Sequence, residues 1–192
     1  MNPFRVFEKH LERFVDKKCI NLLEKLWNQK HRHYHNINHL EKMIKAIEHN
    51  IWFSDLSVFE KDALLLGAFF HDAIYDPKKK DNEDQSINLV KSYIKNVELA
   101  RIVISLVETT KYRKRPTNKL HRIFWDADNE SFIKGFSELL KNEKLIRKEN
   151  SFVSNSIYKE KRINFLQTCL GLFDSESDKN ILKLIHWVKN SY

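Results

Sequence analysis

Four of the nine histidines in this 192-residue chain fall within HRHYHNINHL, residues 31 to 40. Imidazole titrates near neutral pH and is the commonest metal ligand. His31, His33, His35 and His39, set around a tyrosine and two asparagines, therefore point to acid/base chemistry or to a metal site. Such a cluster needs carboxylates to meet it, and two other stretches carry them. FFHDAIYDP (69 to 77) places His71 and Asp72 at the end of a strongly apolar run. An unpaired carboxylate is costly to bury there, so Asp72 needs a cation, a hydrogen-bond partner or water. A structural His–Asp pair meets that need, and so does a bound metal. IFWDADNESF (123 to 132) repeats the pattern, with Asp126 and Asp128 following Phe124 and Trp125. His35 and His39 share a face if they lie on one helix. His31 and His33, on either side of Arg32, read as solvent-facing, and Asp126 also reads as a helix cap. Mixed imidazole and carboxylate donors suit a divalent transition metal better than calcium. Such an ion lowers the pKa of bound water and polarises a phosphoryl oxygen.

The elements that must position these groups are helices. Apolar residues make up 42% of the chain and charged ones 31%, a globular balance that excludes a disordered or membrane-embedded chain. Three Gly and three Pro are too few for a turn-rich β architecture. Phe4, Phe7, Leu11, Phe14 and Val15 form one stripe at helical spacing; Leu22, Leu23, Leu26 and Trp27 form the next. A third helix follows the histidine cluster, with Leu40, Met43, Ile44 and Ile47 inward. Ser57 and Glu60 spell a capping box before VFEKDALLLGAFFHDAIY, which is apolar nearly all round and so predicted to lie at the centre of a bundle. That helix is expected to end just after His71 and Asp72, ahead of Pro77. Further helices are predicted at about 83–96, 98–109, 118–126, 129–146, 155–170 and 178–190. The fold class is all-α and the expected organisation is one domain over 1–192, with a metal-site core at about 19–130 and C-terminal helices at about 131–192 packed on it.

The formal charge of +8 invites a nucleic-acid reading, but the basic residues are spread widely. The two denser runs, PKKKD (77 to 81) and KYRKRP (111 to 116), read as solvated loops. No apolar run is long enough to span a bilayer, and MNPFRVFEKHLERF carries charges where a signal peptide needs an apolar stretch. Cys19 and Cys169 have neither disulfide-framework nor zinc spacing. The expected compartment is the reducing cytoplasm, and the expected state is a monomer or homodimer.

The ordered set His35…His71-Asp72…Asp128 resembles the H…HD…D pattern of the HD superfamily of metal-dependent phosphohydrolases. HRHYHNINHL, FFHDAIYDP, DNEDQS and DAD look like the motifs of a bacterial group within it, and IRKEN, Arg162 and Leu166 extend a looser likeness into the C-terminal half. Asn129 departs from that group's pattern, standing where an apolar residue is usual. KYRKR departs too, standing where related chains tend to carry a histidine; His121 is the candidate replacement.

The resemblance implies a metal held by His35, His71, Asp72 and Asp128, with Asp126 the alternative last ligand. It implies one or two ions of manganese, iron, nickel, zinc or magnesium, and hydrolysis of a phosphoester of a nucleotide or other small phosphorylated molecule. Asp76 or Glu83 would handle protons, and His39 would orient His35 or bind a second ion. Arg32, Lys111 and Arg113 would contact phosphate, while Tyr34 and Tyr75 could stack a base. Two other classes stay in view: a metal oxygenase using the same ligands, and a helical nucleic-acid-binding module that relies on its basic loops.

Overall fold

The capping box at Ser57 forms: Ser57 Oγ accepts from the Glu60 N–H at 3.2 Å, and Glu60 Oε2 accepts from the Ser57 N–H at 2.8 Å. The computed structural model describes residues 2–112 and 114–192, and among them every regular element is helical. The described residues fall into two compact units, 2–112 with 116–128 and 114–115 with 129–192. No helix among them is long and apolar enough to cross a membrane.

The first unit holds α1 (Pro3–Val6), α2 (Glu8–Leu11), α3 (Lys17–Trp27), α4 (Ile37–Glu48), α5 (Val58–Phe70), α6 (Asn82–Tyr93), α7 (Val97–Thr110) and α8 (Lys119–Asp128). The first apolar stripe is not one helix. Its chain breaks at Phe7, and the two short pieces still deliver Phe4 and Leu11 to the core. The hydrophobic core of this unit thus includes residues ahead of α3. Leu40, Met43, Ile44 and Ile47 of α4 are all buried, as their spacing requires. The apolar α5 lies at the centre, packed against α4, α6, α7 and α8. Gly67 permits a close approach of α5 to its neighbours. A Cβ placed there would lie 2.7 Å from Phe124 Cε2 on α8 and 3.4 Å from Leu106 Cδ1 on α7. Gly67→Ala gains up to about 1 kcal/mol of helix propensity but overpacks a buried ring at about 1–3 kcal/mol. We expect a net loss of about 1 kcal/mol in urea unfolding, with crowding outweighing propensity.

The second unit holds a 3-10 turn (Glu130–Phe132) and helices α9 (Phe136–Glu149), α10 (Asn155–Thr168) and α11 (Ser175–Ser191). The single helix expected over 129–146 is split at Gly135, whose φ of +91° is a conformation other residues resist. Phe132, Leu139, Leu166, Ile181, Leu184 and Val188 form its apolar core. Within it Glu143 is fully buried, accepting from Arg162 Nε at 2.5 Å and from the Tyr158 hydroxyl at 2.7 Å.

Candidate metal centre

The last turn of α5 supplies the doublet. His71 is the C-cap residue, only 1% exposed, and its Nδ1 lies 2.9 Å from the Ala68 carbonyl. That contact requires a proton on Nδ1, so in the neutral ring Nε2 is left as a lone-pair donor. Nε2 faces Asp72 Oδ2 at 3.2 Å, His39 Nε2 at 3.3 Å and Asp128 Oδ1 at 3.6 Å. His39 Nε2 in turn lies 3.2 Å from Asp128 Oδ1 and 4.0 Å from Asp72 Oδ2. Ligand atoms of His39, His71 and Asp72 lie within 4.8 Å of one another, and no other such histidine, cysteine and carboxylate group occurs among the described residues.

Two nitrogens bound tetrahedrally to one ion at about 2.0–2.1 Å sit about 3.3–3.4 Å apart. The nitrogen spacing here fits one transition metal, and it fits an imidazole–imidazole hydrogen bond equally well. The electrostatics favour positive charge. Burial disfavours a charge on the His71 imidazole, but the adjacent Asp72 carboxylate and its hydrogen bond, with Asp128 behind them, bring its pKa up to about 9. Burial pushes Asp72 up, yet the His71 charge and hydrogen bond, with His35 and His39, hold it far below the usual carboxylate range. Asp128 follows the same rule: burial raises it, and the bond from His39 with the His71 charge lowers it on balance. Both carboxylates thus stand ionised against the same two imidazoles, in a site that favours positive charge.

The group that the structure gathers most tightly contains His39, while the His35 expected as first ligand acts on Asp72 through its charge. Asn36 caps α4, so His35 lies before the helix and shares no helical face with His39. His39 is in the first turn and 7% exposed, with its ring aimed at His71. The His35 ring instead stacks on Tyr75 at 4.1 Å between centroids, meets Tyr34 edge-on and stays 6.0 Å from the His39 ring. At the end of α8, Asp128 reaches the cluster, whereas Asp126 pairs with Arg122 at 2.9 Å one turn back. Two residues along a helix differ by about 200°, which sends the two carboxylates to opposite sides.

Other expected residues have different work. Arg32 is 4% exposed and is no phosphate contact. Its guanidinium donates to the Asp72 carbonyl at 2.6 Å, the Ala73 carbonyl at 2.8 Å and Gln29 Oε1 at 3.0 Å. It supplies donors to carbonyls just beyond the end of α5 and fixes the backbone at Asp72 and Ala73. The Trp27 indole does the same for the Phe69 carbonyl at 2.8 Å. Arg32→Met would strand two buried carbonyls, each worth about 1–3 kcal/mol. We expect a loss of about 2–4 kcal/mol in denaturant unfolding, with weaker metal retention in the folded variant.

Asp76 and Glu83 stand outside the His39–His71–Asp72 group. Asp76 Oδ1 accepts from the Lys78 N–H at 2.9 Å as a turn brace, and Glu83 sits in the first turn of α6. Lys111 is paired with Asp84 across α6 and α7, and Arg113 lies outside the described residues. His121 does not replace the missing histidine. It bridges Ser105 Oγ at 3.0 Å and Asn118 Oδ1 at 2.9 Å, joining α8 to α7. Asn82 and Ser86 were not singled out from the sequence, yet they hold the loop that follows the doublet. The Asn82 amide exchanges two 3.0 Å hydrogen bonds with the Asp76 backbone, and Ser86 Oγ accepts from the Ile74 N–H at 3.0 Å. Their place within DNEDQS, one helical turn apart, was the available signal.

No family model, curated protein or solved structure matches this chain.

Proposed function

We propose that the protein is a metal-dependent phosphohydrolase that cleaves a phosphoester of a nucleotide or another small phosphorylated molecule. The observation that carries the reading is the convergence of His39 and His71 Nε2 with Asp72 and Asp128 at 3.2–4.0 Å, at the end of the most apolar helix. These four would hold a divalent transition metal. When bound, that ion supplies water of lowered pKa and polarises a phosphoryl oxygen. Ala68, through its carbonyl, keeps the His71 proton on Nδ1 and Nε2 free as a donor. Arg32 holds the Asp72 backbone in register. His35 is the neighbouring imidazole outside the group, and its ring, steadied by Tyr75, can hold or release a proton beside the cluster. The phosphoester specificity rests on the likeness of HRHYHNINHL, FFHDAIYDP and DAD to HD phosphohydrolases.

The test is release of phosphate or nucleoside from a panel of nucleotides, phosphomonoesters and phosphodiesters under nitrogen. Turnover should vanish with chelator and return with manganese. Metal-loaded protein that leaves every phosphoester intact anaerobically, but consumes oxygen with a bound iron, would replace hydrolysis by oxygenation.

A further inference from the structure

Tyr75 stands three residues after Asp72, and the backbone there is tied at three successive residues. The Ile74 N–H donates to Ser86 Oγ at 3.0 Å, and the Asp76 N–H donates to Asn82 Oδ1 at 3.0 Å. The Tyr75 carbonyl itself lies 2.9 Å from His31 Nε2. A carbonyl only accepts, so His31 is the donor. His31, exposed as expected, thus pins the loop after α5 to the stretch before α4. Arg32 makes a second join between the two, since it also donates to the His35 carbonyl at 3.3 Å. None of these side chains belongs to the His39–His71–Asp72 group.

What they hold still is a ring. The His35 imidazole stacks on the Tyr75 ring at 4.1 Å and 26°, and Tyr34 meets it edge-on at 4.8 Å. A side chain caught between a stacked ring and an edge-on one has given up rotamer freedom. His35 is nevertheless close enough to the cluster for its charge to help keep Asp72 ionised. A proton donor beside a bound phosphoester needs such fixed placement, because a displacement of about 1 Å costs about 100-fold in rate. We propose that Tyr75 is a positioning residue whose ring holds the His35 imidazole where it delivers a proton to the leaving oxygen of the phosphoester. The proposal rests on the hydrolase reading above. A water oxygen bonds to phosphorus, the ester P–O bond breaks, and its electron pair stays on the leaving oxygen. That oxygen takes the His35 proton, and a proton given up by the water restores the imidazole.

The experiment uses manganese-loaded full-length protein, the ester of the panel that the wild type cleaves best, and its p-nitrophenyl counterpart. Tyr75→Leu should lower kcat on the first by about 100-fold with KM and bound metal unchanged. It should spare the second, because p-nitrophenolate departs without a proton. Tyr75→Phe, which keeps the ring, should recover most of the loss. Adding Tyr75→Leu to His35→Gln should cost nothing further, since the two act as one unit. If Tyr75→Leu fails to fold, His31→Ala decides, with a loss of about tenfold confined to the same ester. Equal losses on both esters would overturn the proposal and leave the hydrolase reading standing. So would a Tyr75→Phe protein as impaired as Tyr75→Leu, or additive losses in the double variant. A wild type inert toward every ester of the panel would remove both.

Discussion

Protein purified without chelator is expected to carry close to one equivalent of a divalent transition metal. His39→Gln and Asp72→Asn should each lose it while keeping the helical far-UV spectrum. Substituting partners that merely orient a ligand typically costs 10–100-fold in metal affinity, and removal of a donor should exceed that. Two controls give the experiment its force. Asp126→Asn should keep the metal, because Asp126 is bonded to Arg122 rather than to the cluster. It should also keep stability to within about 1 kcal/mol, as befits a partly exposed pair. His35→Gln should keep the metal as well, because His35 acts on Asp72 through its charge but lies outside the His39–His71–Asp72 group. Elemental analysis of the five proteins decides the matter. Retention by His39→Gln together with loss in His35→Gln would return the ligand position to His35. Retention in all of them, or an empty wild type after reconstitution with manganese and with iron, would make the His–Asp doublet a structural pair. The hydrolase proposal would fall with it.

The second large effect lies in the C-terminal unit. Arg162→Met should destabilise that unit by about 3–5 kcal/mol, the usual consequence of leaving a buried charge without its partner. Glu143 has no exposed side-chain surface, and its oxygens are served by Arg162 and Tyr158 alone among the described contacts. Burial pushes the Tyr158 hydroxyl well above the ordinary phenol range, so it serves as a donor at any physiological pH. Replacing the whole network, with Glu143→Leu and Tyr158→Phe added to Arg162→Met, should recover most of the loss, because a well-packed apolar substitute avoids the desolvation cost. Hydrogen exchange of amides in α9 and α11 separates these outcomes. Exchange in Arg162→Met as slow as in wild type would mean that water or another donor reaches Glu143, and the network would then be incidental to stability.

Much of this molecule is legible in its residues taken in order. The scarcity of Gly and Pro, the helical spacing of Leu40, Met43, Ile44 and Ile47, and the Ser57–Glu60 box depend on neighbours within a turn, so they can be read locally. The apolar run ending in His71 and Asp72 likewise announced a polar group that would need a partner. The identity of that partner was a tertiary matter. His35 and His39 are equally placed in HRHYHNINHL, and only the Asn36 cap, which starts α4 after His35, turns His39 toward His71. Arg32 looked like a phosphate contact because a lone arginine in a polar stretch gives no sign of burial. Its role follows from the end of α5 being 40 residues away in the chain yet within hydrogen-bond reach. Asp62 of α5 carried no signal at all: one acid in an apolar helix is silent until His10 is folded beside it. Local pattern determined the helices and the kinds of chemistry available. Which donors meet was decided by long-range packing, where contacts between residues distant in the chain override what their immediate neighbours suggest.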